Sequence, residues 1–112
     1  MMSNAIETAK QYVNGNNYEN AISLARKNHG NDNVEDYLAI LDLLIDANYL
    51  PAIEEKGIYY QHYDESHDNY DYGEKYFNRY LQEQPNSINV LCDKSLSKFN
   101  KGNLKGALKY ID

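Results

Sequence analysis

The residues of this chain with the most obvious capacity for chemistry lie in a polar segment between positions 62 and 71. His62 and His67 provide two imidazoles, and four carboxylates lie within the same ten residues, an inventory that suits a divalent metal ion. The two histidines are five residues apart, however, whereas an i, i+4 spacing places two ligands on one helical face. The acids also lack the spacing of a calcium loop. We therefore expect a solvated acidic loop from Tyr63 to Asn69, and a metal-dependent enzyme built on this segment stays a distant alternative.

The single cysteine, Cys92, is the other residue with nucleophilic chemistry. A reactive thiolate needs a neighbouring base or cation, and no histidine follows Cys92 in the sequence. It lies on the apolar stripe of a predicted helix, which predicts a buried side chain that acts as a small hydrophobe. The sequence shows no glycine-rich phosphate loop, nucleophile elbow or pair of catalytic carboxylates. We therefore expect a protein that is not an enzyme, with no catalytic residues, no metal and no cofactor.

The helices that position these side chains are indicated by a short sequence motif, the recurring phrase, which returns along the chain. In each copy an asparagine precedes a large apolar residue, and a small residue follows the apolar one three positions later. The copies are Asn17–Ile22, Asn48–Ile53, Asn69–Gly73 and Asn103–Leu108. Self-similarity at a period of tens of residues is typical of stacked supersecondary units. It directs the functional question away from a catalytic pocket and toward a surface.

Turn residues separate blocks whose apolar residues follow helical spacing. The predicted helices cover about Asn4–Asn14, Tyr18–Asn28, Val34–Ala47, a fourth from near Pro51, Tyr70–Gln84, Ser87–Asn100, and a seventh from Leu104. Short connections make neighbouring helices pack antiparallel. The pattern therefore predicts an all-α fold, an α-solenoid of antiparallel helical hairpins with about seven short helices in a right-handed superhelix.

Two details of the pattern make local predictions. Asp32 and Glu35 have the spacing of a capping box at the start of the third helix. Gly57 lies inside the fourth helix, where glycine costs ~1 kcal/mol relative to alanine. We expect close contact with a neighbouring helix to compensate that cost.

The arrangement resembles the tetratricopeptide-repeat superfamily over nearly the whole chain. The residues at its signature spacings are Ala9, Tyr12, Tyr18, Ala21, Ala25, Tyr70, Gly73, Phe77, Pro85, Leu91, Ser95, Gly102, Leu104, Ala107 and Ile111. The middle of the chain, with Ala52, Gly57 and Tyr60 before a stretched loop, is similar to the Sel-one-like branch. The resemblance implies stacked helical pairs that bind peptides or proteins along a concave face. Some members bind the C-terminal carboxylate of a peptide with several polar side chains. Lys10 alone does not match that pattern.

Length and charge limit the remaining choices. The chain has 112 residues, so we expect a single helical-repeat domain over residues 1–112, either alone or as a fragment of a longer array. Its net charge is -6. An acidic chain is poorly suited to nucleic acid or an anionic membrane, and a basic or neutral protein segment is easier to accommodate. The sequence has neither a signal peptide nor an apolar run of the ~20 residues that a membrane span needs. A cytoplasmic location is expected.

The tyrosines are the strongest indication of a binding surface, because a tyrosine ring offers a large contact area at low entropic cost. Seven tyrosines lie between positions 59 and 80: Tyr59, Tyr60, Tyr63, Tyr70, Tyr72, Tyr76 and Tyr80. For Tyr60, Tyr70 and Tyr76 we expect packing between helices. For Tyr59, Tyr63 and Tyr72, packing and partner binding both stay open.

The sequence therefore favours a protein–protein interaction scaffold. Its groove would be lined by Ile6, Lys10, Val13 and the sixth-helix face with Asn89, Leu96 and Phe99. Tyr59 and Tyr63 are further candidate partner-binding residues. The alternative is a structural role, in which an uncapped C-terminal helix packs on a second copy, as a homo-oligomer, or on a following domain.

Overall fold

The computed structural model describes residues 4–63 and 67–100, and within them the side chains of residues 4–61 and 72–95. This part of the chain is all-α, with helices that pack in consecutive pairs, and the predicted fold class is confirmed. The helices are α1 (Asn4–Asn14), α2 (Tyr18–Gly30), α3 (Val34–Asp46), α4 (Leu50–Tyr63), α5 (His67–Glu83) and α6 (Ile88–Asn100). The predicted seventh helix, from Leu104, lies outside the described residues. None of the described helices combines the length and the apolar composition that crossing a bilayer requires.

Left-handed residues make the turns that follow the first three helices. Asn16, Asp32 and Asn48 have φ angles of 61°, 62° and 60°, a region that asparagine and aspartate tolerate better than other side chains do. Each of them comes two residues before the next helix begins. Of the recurring asparagines, Asn48 occupies this turn position, whereas Asn17 is the N-cap of α2.

The N-terminus of α3 differs from the predicted capping box by one position. Asn33 is the N-cap: its side-chain oxygen accepts from the Asp36 backbone N–H at 3.4 Å, and its Nδ2 donates to Asp36 Oδ2 at 3.0 Å. The predicted pair, Asp32 and Glu35, is therefore wrong. Asp32 has a left-handed backbone conformation, which an N-cap residue does not adopt. The N-cap is therefore the next residue, Asn33.

The chain divides into two compact units, Met1–Ala52 (unit 1) and Ile53–Asp112 (unit 2). In unit 1, each of the helices α1, α2 and α3 contacts the other two. Small residues let these helices approach closely, and Ala9, Ala21 and Ala25 are fully buried. The most apolar helix, α3, supplies most of the larger buried side chains: Tyr37, Ile40, Leu41, Leu44 and Ile45.

Unit 2 contains most of α4 and all of α5 and α6. Ile53, Phe77 and Val90, one from each helix, are fully buried. Pro51 lies in the first turn of α4, and α5 ends at Glu83, two residues before Pro85, as the sequence predicts. The predicted loop from Tyr63 to Asn69 is wrong at both ends, because α4 includes Tyr63 and α5 already begins at His67.

Candidate interaction surface

Two glycines let α4 and α5 come into backbone contact. A Cβ atom added at Gly57 would lie 2.6 Å from Cε1 of Phe77 and 3.1 Å from the carbonyl oxygen of Gly73. A Cβ atom at Gly73 would lie 2.9 Å from the carbonyl oxygen of Gly57. The predicted close helix contact at Gly57 is confirmed. This contact offsets the ~1 kcal/mol that glycine costs inside a helix.

Tyrosine rings from both helices meet beside this glycine contact. Tyr60 of α4 packs edge-to-face on Tyr72 of α5, with ring centroids 4.7 Å apart, and stacks parallel to Tyr76 at 6.1 Å. Tyr72 and Tyr76 are 5.6 Å apart, and the Tyr76 hydroxyl donates to the Tyr72 hydroxyl at 3.5 Å. Tyr59 extends the group with an edge-to-face contact to Tyr60 at 5.3 Å. Such pairs contribute ~0.5–1.5 kcal/mol each beyond their buried area, so the rings form a pre-organised group.

Two lysines place their ammonium groups over these rings. Lys56 Nζ lies 5.2 Å from the centroid of Tyr76, and Lys75 Nζ lies 5.1 Å from the centroid of Tyr72. Both distances are within the ~6 Å range of cation–π attraction. Lys56 is only 6% exposed, whereas Lys75 is exposed and Tyr72 is 39% exposed. We call the six residues Lys56, Tyr59, Tyr60, Tyr72, Lys75 and Tyr76 the tyrosine–lysine surface.

A buried polar contact joins α4 to α6 in the same unit. Gln61, which is 3% exposed, donates from Nε2 to the backbone oxygen of Asp93 at 3.0 Å. Burial raises the pKa of the Asp93 carboxyl to about 7, and a hydrogen bond and the charge of Glu54 act in the same direction. One Asp93 oxygen, Oδ2, is buried without a hydrogen-bond partner among the described residues. Two carboxyl groups therefore face each other between the helices, and burial and the nearby Glu54 favour the protonated form of Asp93.

Sequence reasoning missed this carboxyl pair. Glu54 and Asp93 lie on different helices, and neither belongs to a recognisable motif. Asp93 follows the apolar run Val90–Cys92 and is itself followed by Lys94, so the local sequence gives no signal of a buried carboxyl.

Unit 1 has a shallow pocket of about 400 Å³ at its turns. Tyr18 and Tyr49, the tyrosines of the first two copies of the recurring phrase, pack there with centroids 5.2 Å apart. The lining residues are Asn16, Asn17, Tyr18, Glu19, Asn20 and Tyr49. Ligand pockets are mostly apolar, with a few polar groups, so this carboxamide-rich depression is a poorer candidate than the tyrosine–lysine surface.

The predicted partner-binding residues fall into different parts of the structure. Lys10 and Val13 are half-buried on α1 in unit 1, whereas Tyr59 and Asn89 belong to unit 2. Tyr59 joins the tyrosine–lysine surface and Asn89 is exposed on α6. The side chains of three others lie outside the described part: Tyr63, Leu96 and Phe99.

The tyrosines that the sequence assigns to helix packing follow that assignment where their side chains are described. Tyr60 and Tyr76 are half-buried and contact each other across α4 and α5. Tyr72, which the sequence leaves open, is the exposed member of the group. The side chain of Tyr70 lies outside the described part.

The prediction that Cys92 is buried is wrong, because its side chain is exposed. Among the described side chains of α6, Val90 and Ser95 are the buried ones, so they mark the inward face of this part of the helix. Ile88, which is 75% exposed, lies on the outward face with Cys92. Apolar residues occur on both faces of α6, and packing within unit 2 selects the face that contains Val90.

Across the described side chains, no group of three His, Cys, Asp or Glu residues is arranged to hold a metal ion. The side chains of residues 62–71 are outside that search, so the interpretation of their acidic and imidazole groups stays a prediction. Comparison of the chain with protein-family models, with curated proteins and with solved structures finds no match.

Proposed function

We propose that this chain is a protein-interaction module that binds a partner peptide or protein on the tyrosine–lysine surface. The observation that supports this most is the group of four tyrosine rings in mutual contact, with Tyr72 left 39% exposed. Tyrosine is enriched at binding hot spots, because a rigid amphipathic ring contributes area and a hydrogen bond together. The glycine contact fixes the spacing of α4 and α5, so the rings need little reorganisation on binding.

The resemblance to tetratricopeptide repeats supports the same class of function, since members of that superfamily mostly bind peptides or proteins. The proposal differs from the groove predicted from the sequence in which residues it uses. Of the predicted partner-binding residues it retains Tyr59, and it adds the ring of Tyr72 as the main exposed contact.

The experiment is a selection of short random displayed peptides on the folded chain. We expect peptides whose affinity falls about tenfold or more on the Tyr72→Ala variant, since truncation of a tyrosine hot spot costs on the order of 2 kcal/mol. Gln82→Ala, at an exposed position on the same helix, is the matched control and leaves affinity unchanged. Circular dichroism confirms that both variants fold. If every selected peptide binds the Tyr72→Ala variant as well as the wild type, the proposed surface is wrong.

A further inference from the structure

The positively charged residues of α4 and α5 lie on the side of these helices that carries the tyrosine rings. Lys56 is the only Lys or Arg of α4, and Lys75 and Arg79 are the only two of α5. On α5, the positions 72, 75, 76 and 79 follow the i, i+3, i+4, i+7 rule and share one face. Lys56 and Lys75 therefore lie over the tyrosine rings and Arg79 shares their face of α5 by spacing, although the whole chain has a net charge of -6.

The rings hold these charges at fixed places. An ammonium group over a ring face is attracted by the ring, and the N–H donors of the exposed Lys75 remain accessible to a ligand. Lys75 is exposed at its position above Tyr72, so a ligand reaches both groups at once. Lys56 is largely removed from water above Tyr76.

We propose that the segment bound at the tyrosine–lysine surface is an acidic peptide, with Asp or Glu next to an apolar or aromatic residue. The carboxylate accepts hydrogen bonds from the Lys75 ammonium, while the neighbouring apolar side chain packs on the exposed ring of Tyr72. This inference rests on the proposed function and specifies the chemistry of the partner.

The alternatives fit the surface less well. The total charge favours a basic or neutral partner, but a basic segment would place its ammonium groups against Lys56 and Lys75, over ring faces that these lysines already cover. A nucleic acid would also supply anions and stacking bases. Its continuous line of phosphates, however, would extend onto the rest of an acidic chain. A short peptide with few carboxylates avoids that repulsion.

The test scores the composition of the selected peptides and their dependence on Lys75. We expect Asp and Glu to be enriched among peptides that need Tyr72. We also expect a synthetic copy of the tightest one to bind Lys75→Glu about tenfold more weakly than wild type. Replacing its Asp and Glu by Asn and Gln should weaken binding to the wild type by a similar factor. The matched control is Lys27→Glu, an exposed charge reversal on α2 in unit 1, which should change affinity about twofold or less.

The outcomes separate this inference from the proposed function. Peptides that depend on Tyr72 but show no acidic enrichment, or bind Lys75→Glu as tightly as wild type, overturn the acidic partner and leave the proposed surface standing. Peptides that ignore Tyr72 overturn both. A fluorescent single-stranded oligonucleotide is measured beside the peptides. If it binds more tightly than the best acidic peptide, and loses affinity on Lys75→Glu, the surface takes nucleic acid and the inference fails.

Discussion

Replacing Gly57 by alanine is expected to lower the free energy of unfolding by about 2 kcal/mol. An added Cβ atom would lie 2.6 Å from the ring of Phe77, which is fully buried. It would also lie 3.1 Å from the carbonyl oxygen of Gly73, a backbone atom that cannot move independently of α5. At an ordinary helical position the same change would raise stability by up to ~1 kcal/mol, so the sign of the effect is diagnostic.

Urea unfolding followed by circular dichroism measures this effect, and Gly30→Ala is the matched control. Gly30 is the last residue of α2, and a Cβ added there meets nothing within 4 Å. We expect the control to be neutral or slightly stabilising. If Gly57→Ala is as stable as Gly30→Ala, then α4 and α5 do not pack through their glycines. The spacing of the tyrosine rings would then need another explanation.

The stability of the chain is expected to fall as the pH rises from about 4 to about 7, because of Asp93. Burial and Glu54 raise the pKa of this carboxyl to about 7, from an ordinary value of 3.8 that applies to the unfolded chain. The folded chain therefore keeps a proton that the unfolded chain has released. This contribution is complete below pH 3.8 and is lost as the pH passes about 7. Because Asp93 is only half-buried, water screens part of the effect, and we expect a loss in Tm on the order of 5 °C.

Thermal unfolding at several pH values compares the wild type with Asp93→Asn. The asparagine amide cannot ionise and still donates a hydrogen bond to the Glu54 carboxylate, so the variant should lose most of the slope and exceed the wild type in Tm near pH 8. Glu83→Gln removes one exposed negative charge from α5 and should keep the wild-type slope. An Asp93→Asn variant that keeps the same slope as wild type would show that this carboxyl does not hold the extra proton.

Local rules predict most of the helical architecture from the sequence. The starts of α1 and α2 and the stop at Pro85 follow from turn residues and proline, which act within a few residues of the chain. The role of Gly57 is also predictable, because glycine inside a helix lowers stability unless a close contact with a neighbouring helix compensates. The predicted close contact at Gly57 is confirmed by the short distances to α5.

The errors come from contacts between residues that are distant in the sequence. The exposure of Cys92 depends on which face of α6 packs inward, and Val90 and Ile88 give competing apolar stripes that periodicity cannot rank. The pair of Asp93 and Glu54 exists only because α6 meets α4. The tyrosines were visible as a group, but their ring contacts depend on the approach of α4 and α5 at the glycines.

An NMR titration tests most directly whether the tyrosine–lysine surface is the peptide-binding site of this protein. The ¹⁵N-labelled chain is titrated with the tightest displayed peptide, and the backbone amide shifts are mapped along the sequence. We expect the largest changes at residues 56–60 and 72–76, and their disappearance in the Tyr72→Ala variant. Changes concentrated in residues 4–46, where the pocket beside Tyr18 lies, would contradict the proposal.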